Sequence, residues 1–180
     1  LSQVCIGQSK VPVADLAPLI SDPNVIVRRL ALVALGKTKD PGAVPFIEKG
    51  LADPENGVRC MAAHALEFNQ RLESVAALLA AVEKHANHPL MEMSRNSLSR
   101  FKPAPVAPLV QALQSSKSGA VRTVAARVLV NLVRVEQLPV LVVTLGDPEP
   151  FVRFSAAEAL GNLRESPKAV EVLLEATRHE

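Results

Sequence analysis

In this 180-residue chain the pair Val-Arg stands at 27–28, 58–59, 121–122 and 152–153, each time inside the same ungapped frame. The frames run from Asp22 to Gly36, Asp53 to Glu67, Ser116 to Val130 and Asp147 to Gly161. The outer intervals are both 31 residues, and the middle one, 63, leaves room for one more unit. His88 to Phe101 fills it as a degenerate copy, with Met93 in the Val position, His88 for Asp and Ser94 for Arg. A fixed period of this length marks units that cannot bury their apolar faces alone and stack on one another instead.

Each frame reads as a helix. Asp before Pro predicts a helix start, with Asp capping the first free amides and Pro at the first helical position. Val27, Ala31, Ala34 and Leu35 then form a core stripe at helical spacing, and Ala lets a neighbouring helix approach closely. A shorter amphipathic run precedes each frame, so every unit is a pair of antiparallel helices. First helices are expected at 12–21, 41–52, 71–85, 104–115 and 136–146. Second helices are expected at 23–38, 54–69, 89–102, 118–134 and 148–164, with a last helix at 166–179. The expected fold is all-α, an α-α superhelix or solenoid of about five helix pairs plus a terminal helix. Residues 1–180 read as one repeat domain, and the uncapped start, Leu1 to Val13, suggests a piece of a longer chain.

Composition agrees. Trp and Tyr are absent, Phe occurs five times, and Ala, Val and Leu dominate, which suits packed helices better than sheets. The charge of +2, from 20 basic and 18 acidic residues, gives no general pull toward nucleic acid or membrane. No apolar run is long enough to span a bilayer. Cys5 and Cys60 form neither a disulfide framework nor a zinc pattern, and a reduced, cytoplasmic setting fits them.

The frame Asp-Pro-x-x-x-Val-Arg-x-x-Ala-Ala-x-Ala-Leu-Gly resembles HEAT-like repeats of the bacterial type, also seen in bilin lyase subunits, over nearly the whole chain. The resemblance implies that second helices line a concave face. It also implies that the repeated Asp and Arg form a ladder between units, here Asp22, Arg28, Asp53, Arg59, Arg122, Asp147 and Arg153. Such repeats serve scaffolds, transport receptors, lyase subunits, a hydroxylase and DNA-repair proteins, so the fold alone does not choose a function. The hydroxylase branch holds iron with His-Glu dyads on second helices. Here the only such pair is His179-Glu180, so no metal or other cofactor is expected.

The remaining chemistry is sparse. No Gly-rich phosphate loop and no Gly-x-Ser-x-Gly is present, and Cys60 reads as a small semi-exposed residue. Aromatic platforms for bases are missing, so nucleic acid is an unlikely ligand class. What varies is one face of the second helices. One column there reads Arg29, Cys60, Arg95, Thr123 and Phe154; the next reads Val33, His64, Ser99, Arg127 and Glu158. Variation on one face over a repeated core suits a binding surface. Phe151 and Phe154 flank Val152-Arg153; one is a candidate partner anchor, and packing against the last helix is the more ordinary place for them. The expected role is a non-enzymatic scaffold for a protein partner. The alternatives are a bilin lyase or isomerase-type subunit and, less favoured, a nucleic-acid binder.

Overall fold

A computed structural model describes residues 11–163 and 166–176. Cys5, most of the chain start and His179-Glu180 lie outside them. Among the described residues the chain is helical, with no strand, and it divides into two compact units, one up to Asn69 and one from Gln70 onward.

The first unit holds two helix pairs. In the first pair, α1 (Val13–Leu16) runs into a 3-10 turn, Ala17–Ser21, and packs with α2 (Val25–Thr38). In the second pair, a 3-10 turn at Pro41–Ala43 leads into α3 (Val44–Gly50), which packs on α4 (Asn56–Asn69). Pro18, Pro41 and Pro45 sit in the first turns of these pieces, where their missing N–H costs nothing. Leu32, Leu35, Ile47 and Leu66 are fully buried between the helices, each contributing roughly 1.5–3 kcal/mol relative to exposure. Gly36 lets α2 approach α4 closely: a Cβ there would lie 2.9 Å from the Ala65 carbonyl oxygen.

The second unit holds three pairs and a last helix. Here α5 (Ser74–His85) packs on α6 (His88–Ser99), α7 (Val106–Ser115) on α8 (Gly119–Leu129), and α9 (Leu138–Thr144) on α10 (Pro150–Asn162). The second helices also pack in sequence, α6 on α8 and α8 on α10, and α11 (Pro167–Ala176) closes against α10. Leu90, Leu98, Leu109, Leu129 and Leu160 form the core.

Two local expectations are corrected. Asp22 does not cap α2. Its carboxylate accepts from the Asn24 amide, 2.7 Å, and Asn24 is the cap, accepting from Ile26. Asp53 and Asp147 accept from Glu55 and Glu149 in the same way, and Ser116 Oγ from Ser118. The Asp-Pro pair therefore shapes the turn before the helix, an Asx-type turn that Ser can imitate. Stripe positions also differ: Ala31 and Leu35 are buried, while Val27 and Ala34 are only partly so, and Leu32 and Gly36 join the core.

A third correction is to register. In α6 the buried residues are Leu90, Ser94, Ser97 and Leu98, which matches Val152, Ala156, Ala159 and Leu160 of α10. Leu90, not Met93, takes the Val position. Asn87 caps α6 as Asn24 caps α2. In this register the intervals are 31, 32, 31 and 31 residues, so the third unit is regular in length. The Asp and Arg positions hold His85 and Met91, not His88 and Ser94. The two face columns receive Glu92 and Asn96, not Arg95 and Ser99.

Candidate functional site

Second helices α6, α8 and α10 lie side by side in the second unit, and their outer faces line a groove of about 980 Å³. The repeat places alike positions at one level. Glu92, Thr123 and Phe154 come from one column, and Arg127 and Glu158 from the next. Arg95 lines the groove from one turn further along α6. Thr123 is largely buried. Ser99 does not line the groove; its hydroxyl donates to the Arg95 carbonyl, 2.8 Å. Structure thus brings together Arg95, Thr123, Arg127, Phe154 and Glu158.

Glu92, which the misplaced register hid, is the electrostatic centre. Arg95 donates to its Oε2 from Nε at 3.1 Å and Nη2 at 3.0 Å. Arg127 donates to Oε1 from the neighbouring helix. Partial burial pushes the Glu92 carboxyl up, but the two guanidiniums outweigh it and hold it below its ordinary value. Glu92 is therefore anionic at neutral pH. One carboxylate serving two guanidiniums leaves Arg donors free to meet an acceptor on a ligand.

The opposite wall is apolar. Phe151 and Phe154 are each 67% exposed and both line the groove. Spacing of three residues puts them on one face of α10, so neither takes the expected place against the last helix. Met91 and Val130 extend the apolar lining. Asn162 fixes one end, donating to Val130 O at 3.1 Å and Asn131 Oδ1 at 3.2 Å.

The other four face residues lie in the first unit. Arg29 is exposed, and Val33, Cys60 and His64 are partly buried. Burial pushes the Cys60 thiol up, against the opposing pull of Arg59 and Arg29, so the thiol stays protonated at neutral pH. His64 meets Phe68 edge-on, ring centroids 5.2 Å apart. Among the described residues, no group of three or more His, Cys, Asp or Glu is placed to hold a metal ion. No helix there is long and apolar enough to cross a membrane.

The repeated Arg grips its own turn. Arg28 Nη1 reaches the Asp22 and Pro23 carbonyls, Arg59 Nη1 those of Asp53 and Pro54, and Arg153 Nη1 those of Asp147 and Pro148. Arg122 Nη1 reaches the Ser116 carbonyl likewise, and two of the four repeated arginines also hold the Asp of the following repeat, Arg28 with Asp53 and Arg122 with Asp147, both bidentate. The HEAT-repeat family pattern matches residues 13–99 and 106–180. The chain belongs to the HEAT-repeat family. Its groove is thus made by the second helices of three consecutive HEAT repeats.

Solved structures show the same fold. The complex of CpcE and CpcF of phycocyanin lyase from Nostoc sp. PCC7120 is 19% identical, with a TM-score of 0.55, covering 97% of this chain and 73% of that one. The Escherichia coli protein YIBA is 20% identical at TM-score 0.51, covering 94% and 64%. An engineered protein is 21% identical at TM-score 0.50, covering 92% and 85%. No curated protein matches the sequence.

Proposed function

We propose that the chain is an interaction scaffold, not an enzyme, and that it binds a segment of a protein partner in the α6–α8–α10 groove. The observation that carries this reading is the pair of exposed Phe side chains, 151 and 154, facing an Arg–Glu–Arg cluster across one cleft. Exposed aromatics beside arginine are the residue types that dominate binding energy at protein interfaces. The partner segment places a bulky apolar side chain against the Phe wall and presents an acceptor to Arg127. Affinity capture with the wild type and with Phe151→Ala/Phe154→Ala and Arg127→Ala variants tests it. Loss of the same identified partner in both variants, with folding intact, supports the reading; undiminished capture refutes it.

A lyase-type subunit is the second reading. Its support is the likeness to a structure of phycocyanin lyase subunits over 97% of this chain. Co-expression with a bilin and its acceptor protein would yield a coloured adduct under this reading and none under the first.

A further inference from the structure

The charges that line the groove are unevenly placed. Arg127 on α8 and Glu158 on α10 hold the same repeat position, 31 residues apart, on helices that pack together. Both line the groove. Opposite charges so placed could pair with each other, yet they do not. Arg127 turns the other way and donates to Glu92 on α6. Glu158 is exposed and makes no ion pair among the described residues.

The two sides of the groove therefore differ in sign. On the α6–α8 side, Arg95 and Arg127 share the Glu92 carboxylate, which leaves a net positive charge and unused N–H donors. On the α10 side stands Glu158, an acceptor without a donor. Phe154 lies one turn before it on the same helix face. The stem of a long basic side chain can run over that ring while its charged end meets the carboxylate. We infer that the segment bound in this groove carries both charges: an acidic residue that meets Arg127 and, about three residues away, a Lys or Arg that meets Glu158. Neighbouring helices lie about 8–10 Å apart, and an extended chain covers that distance in about three residues at about 3.1 Å each. This selection presupposes that the groove is the binding site, and it names the class of segment that the groove takes.

A random-peptide phage library serves as the probe. It is panned on the whole chain and on the Phe151→Ala/Phe154→Ala, Glu158→Gln and Glu158→Lys variants, with folding checked by thermal melting. Wild type should enrich peptides that carry an acidic and a basic residue about three positions apart beside a bulky apolar one. Fluorescence anisotropy with those peptides should show affinity reduced about 5-fold by Glu158→Gln, as for a partly exposed ion pair, and weakened by added salt. Glu158→Lys should instead enrich peptides with an acidic residue in place of the basic one. Enriched peptides that need the two Phe but lack a basic residue, or that bind all Glu158 variants equally, overturn the charge pairing and leave the groove as the binding site. Failure to enrich any peptide that depends on the two Phe overturns both.

Discussion

Arg28 and Asp53 stand 25 residues apart and close a two-pronged ion pair, Nε to Oδ2 at 2.8 Å and Nη2 to Oδ1 at 3.0 Å. The same guanidinium holds the Asp22 carbonyl at 2.9 Å. One side chain thus fixes the turn of its own repeat and the turn of the next, and planar bidentate geometry is something Lys would not reproduce. Arg122 and Asp147 repeat the arrangement in the second unit. Arg59 does not have it: the Asp position of the following repeat is His85, and Arg59 Nε is buried without an acceptor among the described residues.

The Asp147 pair makes stability depend on pH. Burial pushes its carboxyl up, but Arg122, the Glu149 amide and Arg153 together hold it below its ordinary value. A depressed folded pKa contributes stability that is present above the unfolded value, about 4, and is lost as pH falls through the folded one. Melting temperature measured against pH should show wild type above Asp147→Asn at neutral pH, with the gap closing from about pH 4 downward. A gap that is constant across that range would remove the ion pair as its cause.

Gly36 and Gly161 should respond oppositely to the same change. Ala in a helix interior normally stabilises by about 0.5–1 kcal/mol over Gly. At Gly36 the new Cβ would meet Ala65 backbone at 2.9–3.0 Å, so Gly36→Ala is expected to destabilise by about 1–3 kcal/mol. At Gly161 no described residue lies within 4 Å, and Gly161→Ala should stabilise slightly. Urea unfolding of the two variants gives both signs.

Ser94 and Ser97 should be improvable. Both are fully buried, and neither hydroxyl has a hydrogen-bond partner among the described residues. They occupy positions where α10 carries Ala156 and Ala159. An unsatisfied buried hydroxyl costs about 1–3 kcal/mol. Ser94→Ala and Ser97→Ala are each expected to raise the melting temperature by a few degrees; a fall in both would mean that the hydroxyls are satisfied.

The sequence makes the helix pairs legible because the Val-Arg frame repeats one apolar pattern in four copies, though Val27 and Ala34 of the first copy are only partly buried. The third copy is harder. His88-Pro89 imitates Asp-Pro, and following it puts Met93 in the core and hides Glu92. Asn87, which caps α6 as Asn24 caps α2, was the available signal, together with the even spacing it restores. The capping role assigned to Asp fails for a related reason: an Asp that shapes a turn and an Asp that caps a helix look alike in one dimension. That Phe151 and Phe154 share one open face depends on what packs against α10, and periodicity alone does not show this.

Phe154 is largely exposed on the groove wall, so Phe154→Ala should change stability by less than about 0.5 kcal/mol while reducing partner affinity at least about 10-fold, about 1.4 kcal/mol. Calorimetric melting and a binding titration with the captured partner separate the two effects.

The central claim, that partners bind in the α6–α8–α10 groove, is tested most directly by photo-crosslinking. A benzophenone amino acid replaces Phe154 in one protein and Val143, 78% exposed on α9, in another. The account predicts one defined partner adduct from position 154 and none from 143. An adduct from 143 alone, or equal adducts from both, would contradict it.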